Sequence, residues 1–402
     1  MMALKWLCAS AVVLDLALLD PAAAQKKHGP GVTDNEIKIG QTMPYSGPVS
    51  AASVIGNAEL AYFRMLNEQG GINGRRVSLI SLDDAFSPPK TLEQTRRLVE
   101  QEQVLGLMGS FGTPTNTAVQ KYLNQRNVPQ LFIQAGASRW NDPVHFPWTM
   151  PLVVLLRTEA KAFGSYILRN NPKARVAILY QNDDFGKDYV EGLKERFGGQ
   201  AMERIVAIAS YELLDPTVDS QIIALKASGA DTLLIAASPK FAAQAIRKVF
   251  DIGWHPTRFV AQVSTSPAAV FSPAGSEKSI GVISVTATKS VSDPQWESDP
   301  EYQTWLAFMR KYYPDGNVSD QFTLDGYGNA VLFAEVLRRC SDDLTRENLM
   351  RVATHLKAMW TPSLLPGVTL NTSPTDYNPL KQMRLQRFGG RQWELFDGLI
   401  EE

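Results

Sequence analysis

The chain reads as an α/β protein built from two doubly wound α/β lobes. Three observations predict this. Short apolar runs alternate with stretches whose apolar residues recur every three to four positions, the pattern of strands alternating with helices. Several of the runs are apolar on consecutive positions, as in parallel strands covered on both faces. The whole cycle then restarts after about residue 150, and 402 residues are enough for two such units.

In the first unit Ile37-Lys38-Ile39 alternates as a strand. Ala58, Ala61, Tyr62, Met65 and Leu66 fall on one helical face, and Gly70-Gly71 ends that helix. A strand from Val77 to Leu82 leads to a helix marked by Leu92, Thr95, Leu98 and Val99. Val104 to Met108 reads as a buried strand, Thr115 to Leu123 as a helix and Gln130 to Ile133 as a strand. In the second unit Ala160, Phe163, Gly164, Ile167 and Leu168 form a helix face. Strands are expected at Val176–Tyr180, Ile205–Ala209, Thr232–Ala236, Phe259–Val263 and Ile280–Thr286. Helices are expected at Tyr189–Phe197, Ile222–Ala227 and Phe241–Phe250. Two further helices, Tyr302–Tyr312 and Gly328–Arg339, have no clear strand between them and are expected to pack back on an earlier sheet.

Residues 1–24 read as a secretory signal: Lys5, an apolar run from Trp6 to Leu19, the breaker Pro21, then Ala22-Ala23-Ala24 before Gln25. Asp15 and Asp20 oppose that reading. No other run reaches the ~18 apolar residues of a membrane span, so a soluble exported product is expected. Forty basic against 41 acidic residues give no basic patch that would suggest a nucleic-acid partner. Outside the leader Cys340 is the single cysteine, which excludes an intrachain disulfide there and reads as a buried, inert thiol. The four histidines are scattered, and no nucleophile elbow, P-loop or dinucleotide fingerprint occurs. No catalytic residue, metal or cofactor is therefore expected.

In doubly wound sheets ligands bind beyond the carboxyl ends of the strands, beside helix N-termini. Three loops qualify. Gly109 to Asn116 carries Phe111 and Thr113 and opens a helix; its free N–H groups serve either capping or an anion. Gln134 to Ser138 brings Gly136 and Ser138, with Trp140 and Trp148 following as possible pocket walls. Tyr180 to Gly186 carries Asp183-Asp184, read as helix caps, and Phe185, an apolar ring in a polar turn that needs a cover.

The segments Ile37-Lys38-Ile39-Gly40, Tyr45-Ser46-Gly47-Pro48 and Asn67-Glu68-Gln69-Gly70-Gly71-Ile72-Asn73-Gly74-Arg75 resemble the opening of the leucine/isoleucine/valine-binding protein family. These are type I periplasmic solute-binding proteins of ABC importers. Asp83-Asp84, Pro89, Val128-Pro129 and Asp184-Phe185-Gly186 continue the likeness. It implies a cleft between lobes joined by a three-strand hinge, with the first lobe at residues 31–150 plus 287–366 and the second at 151–286 plus 367–402. It also implies an inner-membrane ABC permease as partner, a monomer, and a periplasmic location. Thr113, Gly136 and Ser138 would hold a ligand carboxylate, Phe185 would act as an aromatic lid, and Ser238 would contribute from the second lobe. The acid that pairs with a ligand ammonium in the family has no counterpart in Val260 to Thr265. An unpaired ammonium in a dry cleft costs several kcal/mol (~3–5). The expected ligand is therefore an aromatic or other apolar carboxylic acid, with a branched-chain amino acid as the alternative and a ligand-sensing regulatory module as the alternative role.

Overall fold

The computed structural model describes residues 26–291 and 293–401. The leader reading lies outside the described residues. Two mainly parallel sheets organise the molecule. The first has five strands in the spatial order β2-β1-β3-β4-β5. These are β1 (Glu36–Met43), β2 (Arg76–Asp83), β3 (Leu107–Met108), β4 (Gln130–Ile133) and β5 (Thr149–Pro151). All its pairings are parallel. Helices α1 (Ser53–Glu68), α2 (Pro88–Arg96) and α3 (Thr113–Gln125) connect them.

The second sheet has seven strands in the order β12-β11-β10-β9-β8-β6-β7. Here β6 is Val176–Gln181, β7 Ile205–Tyr211, β8 Thr232–Ala236, β9 Thr257–Val260 and β10 Ile283–Thr286. A C-terminal hairpin, β11 (Gln382–Phe388) and β12 (Trp393–Glu401), adds two antiparallel strands. Helices α4 (Leu156–Asn170), α5 (Asp184–Phe197), α6 (Asp219–Ala227) and α7 (Pro239–Asp251) cover this sheet.

After β10 the chain returns to the first sheet. Helices α8 (Pro300–Tyr312) and α9 (Gln321–Arg339) follow one another without a strand, and α9 lies along α1. Tyr62 of α1 meets Tyr327 of α9 edge to face at 5.6 Å and Phe308 of α8 at 6.4 Å, so three helices share one apolar seam. A last helix, α10 (Arg346–Ala353), follows.

Several boundaries shift from the sequence reading. Only Leu107–Met108 of the run from Val104 pairs as strand, and β9 stops at Val260, with Gln262–Ser264 forming a tight turn instead. The hairpin at 382–401 was not anticipated: its charged and apolar residues are mixed, and only pairing to β10 orders it. Residues 367–380, expected in the second lobe, pack on the first. Met359 and Leu370 exchange backbone bonds, Thr372 bonds Leu356, and the Tyr377 N–H donates to Asn141. The chain therefore recrosses close to Leu380–Lys381, just before β11.

Cys340 is buried, and burial pushes its thiol up to about 12, far from a reactive thiolate. Among the described residues no helix is long and apolar enough to cross a membrane.

Candidate ligand-binding cleft

The chain crosses between the sheets three times: after β5, after β10, and before β11. The crossings are stitched together. Leu156 donates its N–H to the Gly136 carbonyl at 2.8 Å, and Leu365 donates to Ala287 at 2.9 Å. Thr288 bridges Leu364 in antiparallel fashion. Above these strands lies a cleft with about 1220 Å³ of empty space, open solvent included.

Its first-lobe wall is aromatic. Phe111 stands 6.2 Å from Phe86 and 6.4 Å from Phe322, both measured between ring centres. Phe86 itself sits at φ +56°, held by its N–H donating to Asp84 and by Thr91 donating to the same carboxylate. Gly112 makes this wall possible. Its φ is +94°, and a Cβ there would come within 2.2 Å of the Phe86 ring. Leu213 and Val263 of the second lobe pack against the same cluster.

Thr113 begins α3, and the cap residue before it is Gly112, which offers no side chain. The Thr113 and Gly136 N–H groups have no backbone acceptor, while the Gly112 N–H is committed to Gln134. Both residues line the cleft. Free N–H groups at the start of a thirteen-residue helix suit an anion. Gly136 is required by close approach, since a Cβ would lie 2.5 Å from the Val154 carbonyl of the crossing strand.

Across the cleft, Asp183 caps α5 by accepting from the N–H groups of Phe185 and Gly186, as the sequence suggested. This leaves Phe185 at the cleft, its ring edge-on to Tyr189 at 5.5 Å. Asp184 pairs with Arg139 at 2.7 Å, and neither aspartate lines the cleft. Ser238 does, with its Oγ 3.2 Å from the Tyr211 hydroxyl.

Three expected residues lie elsewhere. Ser138 is turned from the main cleft into a neighbouring depression beside Arg157 and Lys381, and its N–H donates to Asp188. Trp140 is 1% exposed, within the core and under the Arg139 guanidinium. Trp148 packs on the core, with its backbone tied to Asn124 and Gln130.

Two carboxyl groups line the cleft from outside the Val260 to Thr265 segment, where the family's acid has no counterpart. Glu159 lies in the first turn of α4, brought there by the Leu156–Gly136 bond; it is 1% exposed and accepts the Gln262 N–H at 2.7 Å. Burial pushes its carboxyl up to about 8. Asp325 on α9 accepts from Gln321 at 3.1 Å, and burial raises it to about 7. Lys, Arg and His are absent from the lining among the described residues. Sequence reasoning missed Phe322, Asp325, Asn329 and Leu332, although their spacing puts them on one helical face; a polar pair inside such an apolar stripe was the available signal.

Two α/β lobes around an apolar cleft with helix N-termini at its rim define a two-lobed binding protein. Residues 36–392 match the family of periplasmic binding proteins, and the chain belongs to that family. A relative is the Leu/Ile/Val-binding protein homolog 7 of Brucella abortus, 24% identical over an alignment of 259 positions that covers 61% of this chain. The match spans 62% of the length of that relative. Among solved structures, a branched chain amino acid ABC transporter protein from Thermus thermophilus with bound valine superposes with a TM-score of 0.83 at 15% identity, over 92% of this chain and 98% of its own. The fatty acid ABC transporter substrate-binding protein from Thermomonospora curvata gives 0.80 at 20% identity, over 94% and 95%. At these identities the solved structures establish the fold.

Proposed function

We propose that this protein is the substrate-binding component of an ABC importer and captures a small, largely apolar organic acid between its lobes, in the periplasm, for delivery to an inner-membrane permease. The observation that carries the ligand class is the lining itself: aromatic and aliphatic walls, no cation among the described residues, and the unpaired N–H groups of Thr113 and Gly136 at one place on it. Apolar burial supplies the affinity. A ligand that hides ~200 Å² of carbon gains about 5 kcal/mol, against ~0.3–1 kcal/mol for the helix dipole. The hydrogen bonds to a carboxylate, about 1.5–3 kcal/mol each, fix its orientation. Glu159 and Asp325, both raised by burial, are acids that can carry a proton near neutrality and so tolerate a neighbouring carboxylate.

A branched-chain amino acid is the second reading, and Glu159 is the observation that favours it, since on ionising it would pair with a ligand ammonium. Titration calorimetry in buffers of different ionisation enthalpy separates the two. Binding an ammonium near pH 7 expels protons from Glu159 or Asp325, whereas binding a plain carboxylate takes protons up or leaves them unchanged. Micromolar binding of leucine or valine with proton release, and no binding of phenylpropanoate or hexanoate, would sink the organic-acid reading.

A further inference from the structure

We infer that the α9 side of the cleft is a second ligand subsite, formed by Asp325, Asn329 and Ser363, that accepts hydrogen bonds from a hydroxyl or amine on the ligand. The inference deepens the organic-acid reading and rests on it: the substrate class becomes an acid that carries a second, hydrogen-bond-donating group.

Four observations support it. Asn329 is 1% exposed and lines the cleft. Its Nδ2 is held by Glu59, and its Oδ1 has no partner. The Glu59 carboxyl oxygen that Nδ2 donates to sets the amide's orientation, so the orphan atom is an acceptor. Buried orphans of this kind are rare in native proteins and mark places where something else supplies the bond. Second, Asp325 stands one helical turn before Asn329 on the same face of α9, and it accepts from Gln321 at 3.1 Å. Third, Thr361 and Ser363 bring two hydroxyls to this wall, 3.0 Å apart. They reach α9 because residue 328 is glycine; a Cβ there would lie 2.1 Å from the Ser363 Oγ. Fourth, Asp325, Asn329 and Ser363 come from segments other than the loops that bring the N–H groups of Thr113 and Gly136 to the cleft, so a ligand carboxylate held there leaves them unused. Acceptors gathered without a cation among the described residues are complemented by a donor.

The test uses matched pairs in titration calorimetry: phenylpropanoate against its para-hydroxy analogue, and hexanoate against its terminal hydroxy analogue. In the wild type the hydroxy member of at least one pair should bind about tenfold tighter, as one well-made hydrogen bond allows. Asp325→Ala and, separately, Ser363→Ala should erase most of that preference, read as the ratio of the two Kd values within each pair, with thermal melts confirming folded protein. Parent acids that bind as tightly as both hydroxy analogues would overturn the subsite and leave the organic-acid reading standing, with Asn329 then satisfied by water alone. A preference that survives both substitutions would also overturn it. If none of the four acids binds, the organic-acid reading fails and the subsite fails with it.

Discussion

Thr113 is the residue on which the carboxylate argument turns. It lines the cleft at the start of α3, and the preceding Gly112 gives no competing cap. Thr113→Val keeps the shape and removes one donor to a charged group. The expected loss is about 1.5–3 kcal/mol of binding, roughly tenfold to a hundredfold in Kd, measured by calorimetry with the melting temperature nearly unchanged. Unaltered affinity would move the carboxylate elsewhere. Gly112 is a different kind of residue. At φ +94° and 2.2 Å from the Phe86 ring, an added methyl is strained twice over. Gly112→Ala should lower stability by ~1–3 kcal/mol and weaken binding as well, because Phe86 cannot keep its place in the aromatic wall. A melt that matches the wild type would show that the ring has room to move.

At the scale of elements, α1, α9 and the first sheet are joined by a buried polar knot. Glu59 of α1 accepts from Gln41 of β1 and Asn329 of α9, and burial pushes its carboxyl from 4.5 up to about 8. In the unfolded chain the same group ionises near its ordinary value. Between about pH 4.5 and 8 the folded state therefore holds more protons, and stability falls as pH rises through that window. Glu159 and Asp325 are raised too and add to the slope. Glu59→Gln isolates one share: its melting temperature relative to wild type should climb steadily from about pH 5 to 8. A difference independent of pH would mean that Glu59 is ionised in the folded protein. None of this knot was legible in the sequence. Glu59 reads as an ordinary polar position of an amphipathic helix, and its partners lie 18 and 270 residues away. The strand-helix alternation was legible, because parallel strands covered on both faces leave continuous apolar runs such as Thr232–Ala236. The β11–β12 hairpin was not, because its mixed residues acquire order only from the neighbouring strand.

At the scale of the molecule, the restart of the pattern near residue 150 announced two sheets, and the strand-end loops pointed to residues that line the cleft. Thr113, Gly136 and Phe185 followed from that rule, since each lies within a few residues of a strand's carboxyl end. The other wall of the cleft did not, because it comes from a helix that returns after the second sheet is finished, and no local pattern says which sheet it will cover. We propose that the three crossings act as a hinge. The contact that would report its closing is Leu213, on the loop after β7, which packs on the first-lobe apolar cluster that includes Phe86, Phe111 and Phe322. In an open form that apolar surface returns to water. Leu213→Ala removes part of the closing energy, roughly 1 kcal/mol for a side chain that is only partly buried. If the closed state is the one that holds ligand, that loss appears as an about fivefold weaker Kd with faster dissociation, while the association rate stays nearly constant. Donor and acceptor dyes at Val144 and Met202, which are 82% and 89% exposed on opposite lobes, should then show a smaller ligand-induced shift in the variant at fixed ligand concentration. A wild-type protein whose dye separation is the same with and without saturating ligand would remove the hinge from the account. The cleft would then have to admit its ligand through the mouth as it stands, and Leu213→Ala would speed association instead of dissociation.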